Sequence, residues 1–86
     1  MTHSRLLDIV KAALQANHDT LVFELPRRKF REGKPIRLFG ARGGPMAHVV
    51  GETPERLQVR VKCMELFYWL EDNPAFLPPE SPPSAS

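Results

Sequence analysis

Thr53-Pro54-Glu55-Arg56-Leu57-Gln58-Val59-Arg60-Val61-Lys62 is the stretch on which the fold turns, because it admits two incompatible readings. Thr53, Pro54 and Glu55 make a good helix start, with threonine as N-cap and proline at the first helical position, where its missing N–H is harmless. A helix continued to Asp72, however, would carry Leu57, Val59, Val61, Cys63, Met64, Leu66 and Phe67 on every side. It would have no polar face to offer water. The same residues alternate at period two, with Leu57, Val59 and Val61 against Gln58, Arg60 and Lys62. Residues 57–62 are therefore read as a half-buried strand. Ala47 to Gly51 is the other arm of a hairpin, turning at Glu52-Thr53-Pro54-Glu55. Cys63 to Asp72 is then either a short helix or a tight turn and a last strand.

Outward toward the N-terminus, Ile36 to Phe39 alternates Ile36 and Leu38 against Arg37 and Phe39, which predicts a second strand. Gly40, Gly43, Gly44 and Pro45 punctuate the connection after it. Thr20 to Leu25 reads as a strand with Leu21, Phe23 and Leu25 on one face, ended by Pro26, which cannot donate to a ladder. Leu6, Leu7, Val10, Ala13 and Leu14 recur at helical steps, so a helix is expected from Arg5 to Ala16, capped by Ser4. Asn17, His18 and Asp19 break it. Toward the C-terminus, Asn73-Pro74 stops the pattern. Pro78, Pro79, Pro82 and Pro83 among Ser and Ala then predict a disordered tail. The expectation is one domain over residues 1–73 and a Pro/Ser-rich disordered tail over 74–86.

The fold class that follows is α+β: an N-terminal helix on a small, strongly curved antiparallel sheet of SH3-like barrel type. The alternative is an αβββα sandwich, an order shared with double-stranded-RNA-binding domains. Their basic signature at the second helix is replaced here by Cys63-Met64-Glu65. Between Lys34 and Lys62, Gly43-Gly44-Pro45, the hydrophobic strand with Val49 and the strand after it resemble the small bacterial SH3-like barrels of the YodC-like family. That resemblance implies a fold and no activity. Ala47 stands where the family tends to carry Met, and the 57–62 strand lacks its aromatic. Leu57-Gln58-Val59-Arg60 is also similar to the Val-Gln-Ile-Tyr strand of the type II dihydrofolate reductases. Arg60 in place of the Tyr removes the residue on which substrate contacts would rest, and likeness of fold does not transfer function.

Charge is distributed unevenly. Seven of the twelve Lys and Arg residues fall between Arg27 and Arg42, with Glu32 the only acid among them, giving the segment a net +6. Beyond Lys62 there is no base, and Glu65, Glu71, Asp72 and Glu80 are all acidic. Concentrated positive charge on a small chain draws polyanions or acidic protein surfaces. The candidate contact residues are Arg27, Arg28, Lys29, Arg31, Lys34, Arg37 and Arg42, with Arg60 extending the patch. Phe30 and Phe39 lie among them but are read as core before stacking platforms. The candidate protein interface is Tyr68 and Trp69, in the run Phe67-Tyr68-Trp69-Leu70, since no one helical face can bury all four.

No catalytic residue is assigned. His48 alternates outward without an orienting acid in reach. Arg42-Gly43-Gly44 lacks the Lys-Ser/Thr and helix start of a phosphate loop, and Cys63 continues the inward parity of its strand. His3, His18 and His48 have no metal-ligand spacing, so neither metal nor cofactor is expected. With no apolar run of spanning length and one free thiol, the sequence suggests the cytosol of a bacterium or phage host and no membrane partner. The expected function is a small non-enzymatic module binding nucleic acid. The alternative is a phage- or plasmid-type adaptor or inhibitor that docks an acidic protein or pairs through residues 67–70. A core this small also favours a homodimer.

Overall fold

Residues 56–62 form a strand, β4 (Arg56–Lys62), and every second residue is buried, in the order Leu57, Val59, Val61. This comes from a computed structural model of the 86-residue chain, which describes residues 1–40 and 43–85. Around β4 are α1 (His3–Gln15), β1 (Thr20–Pro26), β2 (Ile36–Arg37), β3 (Met46–Glu52), α2 (Cys63–Asp72) and β5 (Ser84–Ala85). The sheet is antiparallel and open, in the order β2-β3-β4-β1-β5. The class is thus α+β, with an N-terminal helix, the antiparallel sheet and a second, short helix.

The rival cues at Thr53 are reconciled by the turn. Thr53 Oγ1 accepts from the Arg56 N–H at 3.0 Å, the bond a helix cap would make. The Thr53 N–H, however, donates to the Arg56 carbonyl at 2.9 Å and closes a hairpin. β3 pairs with β4 through His48↔Arg60 and Val49↔Val59, then slips by one residue at Val50, so that Gly51 faces Gln58. The bulge leaves Val50 exposed. On its other edge β4 takes β1, from Thr20↔Lys62 to Pro26↔Arg56.

α1 begins earlier than expected. Thr2, not Ser4, caps it, its Oγ1 accepting from the Arg5 N–H at 3.1 Å. Its end is a Schellman arrangement: Asn17 takes φ 63°, His18 N–H reaches the Ala13 carbonyl at 2.9 Å, and Asn17 N–H reaches Leu14 at 3.1 Å. Asparagine tolerates that left-handed conformation better than most residues. Cys63 to Asp72 resolves as helix α2. His3 Nε2 donates to the Leu70 carbonyl at 2.7 Å, tying the start of α1 to the last turn of α2.

Leu6, Val10 and Ala13 of α1 and Cys63, Leu66 and Leu70 of α2 join Leu21, Phe23, Leu57, Val59 and Val61 in one buried cluster. Both helices therefore cover the same face of the sheet. Each fully buried leucine or valine contributes about 1.5–3 kcal/mol relative to exposure. The other face carries Val22, His48, Gln58, Arg60 and Lys62.

One expectation is corrected. The second strand stops at Arg37, because Leu38 and Phe39 enter a tight turn in which Leu38 N–H donates to Pro45 and Phe39 N–H to Gly43, both at 3.0 Å. Beyond residue 74, the Pro/Ser-rich segment makes contacts with the domain. Phe76 packs on Phe39 at 4.5 Å between ring centroids and on Trp69 at 4.7 Å. Pro78 is buried, and Ser84–Ala85 pairs with Val22 and Leu21 as β5. Phe76, set among prolines, supplies the apolar anchor.

Candidate functional site

β1 and β2 lie on opposite sides of the β3–β4 pair, so residues 27–35 must cross the width of the sheet. Pro26 ends the ladder and Pro35 precedes β2, leaving a loop rich in cations between them. Its root is held firmly. The Arg27 N–H donates to the Glu55 carbonyl at 3.0 Å, and the Arg27 guanidinium donates to the Thr53 carbonyl at 2.9 Å and pairs with Glu52 at 3.5 Å. Arg27 is therefore a clamp on the β3–β4 hairpin, with half of its side chain still open to solvent.

Arg28 is half-buried. Its guanidinium donates to the Arg37 carbonyl and lies across Gly40, where a Cβ would stand 2.7 Å from Nη1. Gly40 also takes φ 61°. Its lack of a side chain is what lets Arg28 bridge the loop to the Leu38–Gly40 turn. Burial lowers the Arg28 pKa from its ordinary value. Arginine nonetheless stays charged in proteins.

Lys29, Arg31 and Lys34 are exposed, and among the described residues no ion pair engages them. The Lys34 N–H donates to the Arg31 carbonyl at 3.1 Å, so Arg31 to Lys34 is a turn that presents these cations at its corners. Phe30, between them, is half-buried and packs against the core. It anchors the loop, as does Phe39, whose ring lies edge-on to Phe23 at 5.8 Å and tilted to Trp69 at 5.4 Å.

The structure separates the remaining expected contacts. Arg37 is opposite Met46, and Arg60 is opposite His48, so both belong to the open face of the sheet and not to the loop. The Arg37 guanidinium reaches the Gly44 carbonyl at 3.5 Å. Arg42 lies outside the described residues. Trp69, expected at an interface, is half-buried within the Phe39–Phe76 ring cluster, whereas Tyr68 is 59% exposed. Met64, one turn before Tyr68, is 46% exposed.

One feature was not foreseen. Leu25, Pro26, Leu38, Phe39, Phe76, Leu77, Pro78 and Pro79 enclose a cleft of about 420 Å³, with Arg27 and Arg28 as its charged lining. The only sequence cue was the Phe76-Leu77 pair inside the proline-rich segment. Among the described residues there is no group of three or more His, Cys, Asp or Glu side chains able to hold a metal ion. No helix among them is long and apolar enough to cross a membrane. Comparisons with known proteins return nothing: no family model matches the chain, and neither a curated protein nor a solved structure matches it significantly.

Proposed function

We propose that this chain is a small non-enzymatic binding module that contacts nucleic acid through its basic loop. The observation that carries the reading is cationic charge without acidic neighbours: Lys29, Arg31 and Lys34 are exposed and have no ion pair among the described residues. A loop rooted by Arg27 and anchored by Phe30 presents them with less conformational freedom to lose than a free tail would have. Phosphate contacts of this kind give affinity that falls steeply with salt. Arg37 and Arg60 form a second, sparser group on the open sheet face.

The test is titration of labelled single- and double-stranded DNA and RNA at low and moderate salt. Binding that weakens as salt rises is the expected result. Absence of binding at low salt would remove the reading.

A second reading rests on α2, where Met64 and Tyr68 are exposed four residues apart beside Glu65, Glu71 and Asp72. It is an adaptor or inhibitor that docks a protein or self-associates through this face. A concentration-dependent dimer abolished by Tyr68→Ala would support it, and a monomer at high concentration would count against self-association.

A further inference from the structure

The cleft beside the basic loop is lined mainly by apolar side chains, with Arg27 and Arg28 as its polar part. Its walls are the end of β1 (Leu25, Pro26), the Leu38–Phe39 turn and the strap from Phe76 to Pro79. Its charged groups are the two guanidiniums of Arg27 and Arg28, and no acid is among the described residues that line it. A ligand suited to it therefore has a flat or compact apolar body with negative charge immediately beside it. An unstacked nucleotide is built that way, with a base attached to a flanking phosphate on either side.

We propose that this cleft receives one unstacked base of a single-stranded nucleic acid, with the neighbouring phosphates held by Arg27 and Arg28. The inference rests on the nucleic-acid reading above and adds to it the form of the ligand. Its volume, about 420 Å³, lies in the range of small-molecule sites, about 300–1,000 Å³. The rings of Phe39 and Phe76 supply aromatic faces and edges of the sort on which bases stack. Arg28 is already positioned by its bond to the Arg37 carbonyl, so little ordering remains for binding.

The track continues past the cleft. Arg27, Arg28, Lys29 and Phe30 border an adjoining hollow of about 520 Å³, more polar than the first, where a backbone can run on toward Arg31. A duplex cannot use this arrangement, because its bases are paired and stacked inside the helix while the cleft is concave. Leu77, on the strap, is 71% exposed and stands at the rim of the cleft.

The test compares two fluorescent probes of equal length on the full chain at low salt: a ten-residue oligodeoxythymidylate and an abasic deoxyribose-phosphate strand. The base-bearing strand is expected to bind at least about fivefold tighter, the smallest effect typical of one stacked base. It should also change the fluorescence of Trp69, the single tryptophan, whose ring is 4.7 Å from Phe76. Leu77→Glu, at an exposed position, penalises both probes by repulsion, so the ratio is the readout, and it should fall toward one. Equal binding of the two probes, or preference for a duplex of the same length, would overturn the cleft assignment and leave the module reading standing. Binding of neither probe would remove both.

Discussion

Gly44 lies against the ring of Phe39: a Cβ added to it would stand 2.7 Å from Phe39 Cδ2. The backbone there takes φ 94°, a conformation that side chains strain. Phe39 is held in place by ring contacts to Phe23, Trp69 and Phe76. Gly44→Ala is expected to lower stability by about 1–3 kcal/mol. Urea unfolding measures it, and an unchanged midpoint would contradict this account of the turn.

The C-terminal strap is expected to contribute to stability. Phe76→Ala removes ring contacts to both Phe39 and Trp69. At roughly 0.5–1.5 kcal/mol per aromatic pair, the loss should be about 1–3 kcal/mol. A chain ending at Asn73 should lose at least as much. If truncation leaves the unfolding midpoint and the Trp69 emission where they were, the strap is not packed as described.

Charge removal should separate the two basic groups. Replacing Lys29, Arg31 and Lys34 together by Ala is expected to make the slope of log Kobs against log salt shallower by about 2 for single strands. Replacing Arg37 and Arg60 should change it much less, because they occupy the sheet face and not the loop. The reverse order would move the contact surface to the sheet.

Cys63 gives a pH dependence of known sign. Burial, reinforced by the negative charge of Asp19, pushes its thiol pKa above the ordinary value, against a smaller lowering by a backbone hydrogen bond. The folded chain therefore keeps the thiol proton at pH values where the unfolded chain has lost it. The resulting stabilisation is present below the unfolded thiol pKa, about 8.5, and disappears as pH rises through the higher folded value. Unfolding followed from neutral to alkaline pH should show this decline, and Cys63→Ala should lack that component. Thiol reagents should react slowly until the chain unfolds.

What could be read from the sequence was set by periodicity. The alternation of Leu57, Val59 and Val61 and the helical spacing of Leu6, Val10 and Ala13 report one-sided burial, and all six are buried. Thr53 shows the limit of a local cue: its capping bond to Arg56 forms, yet the same bond serves a turn as well as a helix. Strand order was not legible, because alternation says that a strand has a buried face and not which strand lies beside it. In the candidate site, the exposure of Lys29, Arg31 and Lys34 followed from their polarity. The restraints on Arg27 and Arg28 did not, since their partners include the main-chain carbonyls of Thr53 and Arg37, which no pattern of side chains announces. Phe76 was hidden by the prolines around it.

The pairing of β1 with β4 also governs how the chain must fold. Thr20 meets Lys62 and Pro26 meets Arg56, so the central ladder joins segments far apart in sequence. The β3–β4 hairpin is local in sequence, whereas pairing β1 with β4 requires residues 27–55 to be drawn into a closed loop, a slow step by topology. That loop holds most of the chain's positive charge. Its closure draws Arg28, Lys29, Arg31 and Lys34 together while Arg27 gains Glu52, so the excess of like charge predicts that counterions quicken folding. Under the proposed function, the same arginines and lysines would respond to salt in opposite directions in binding and in folding.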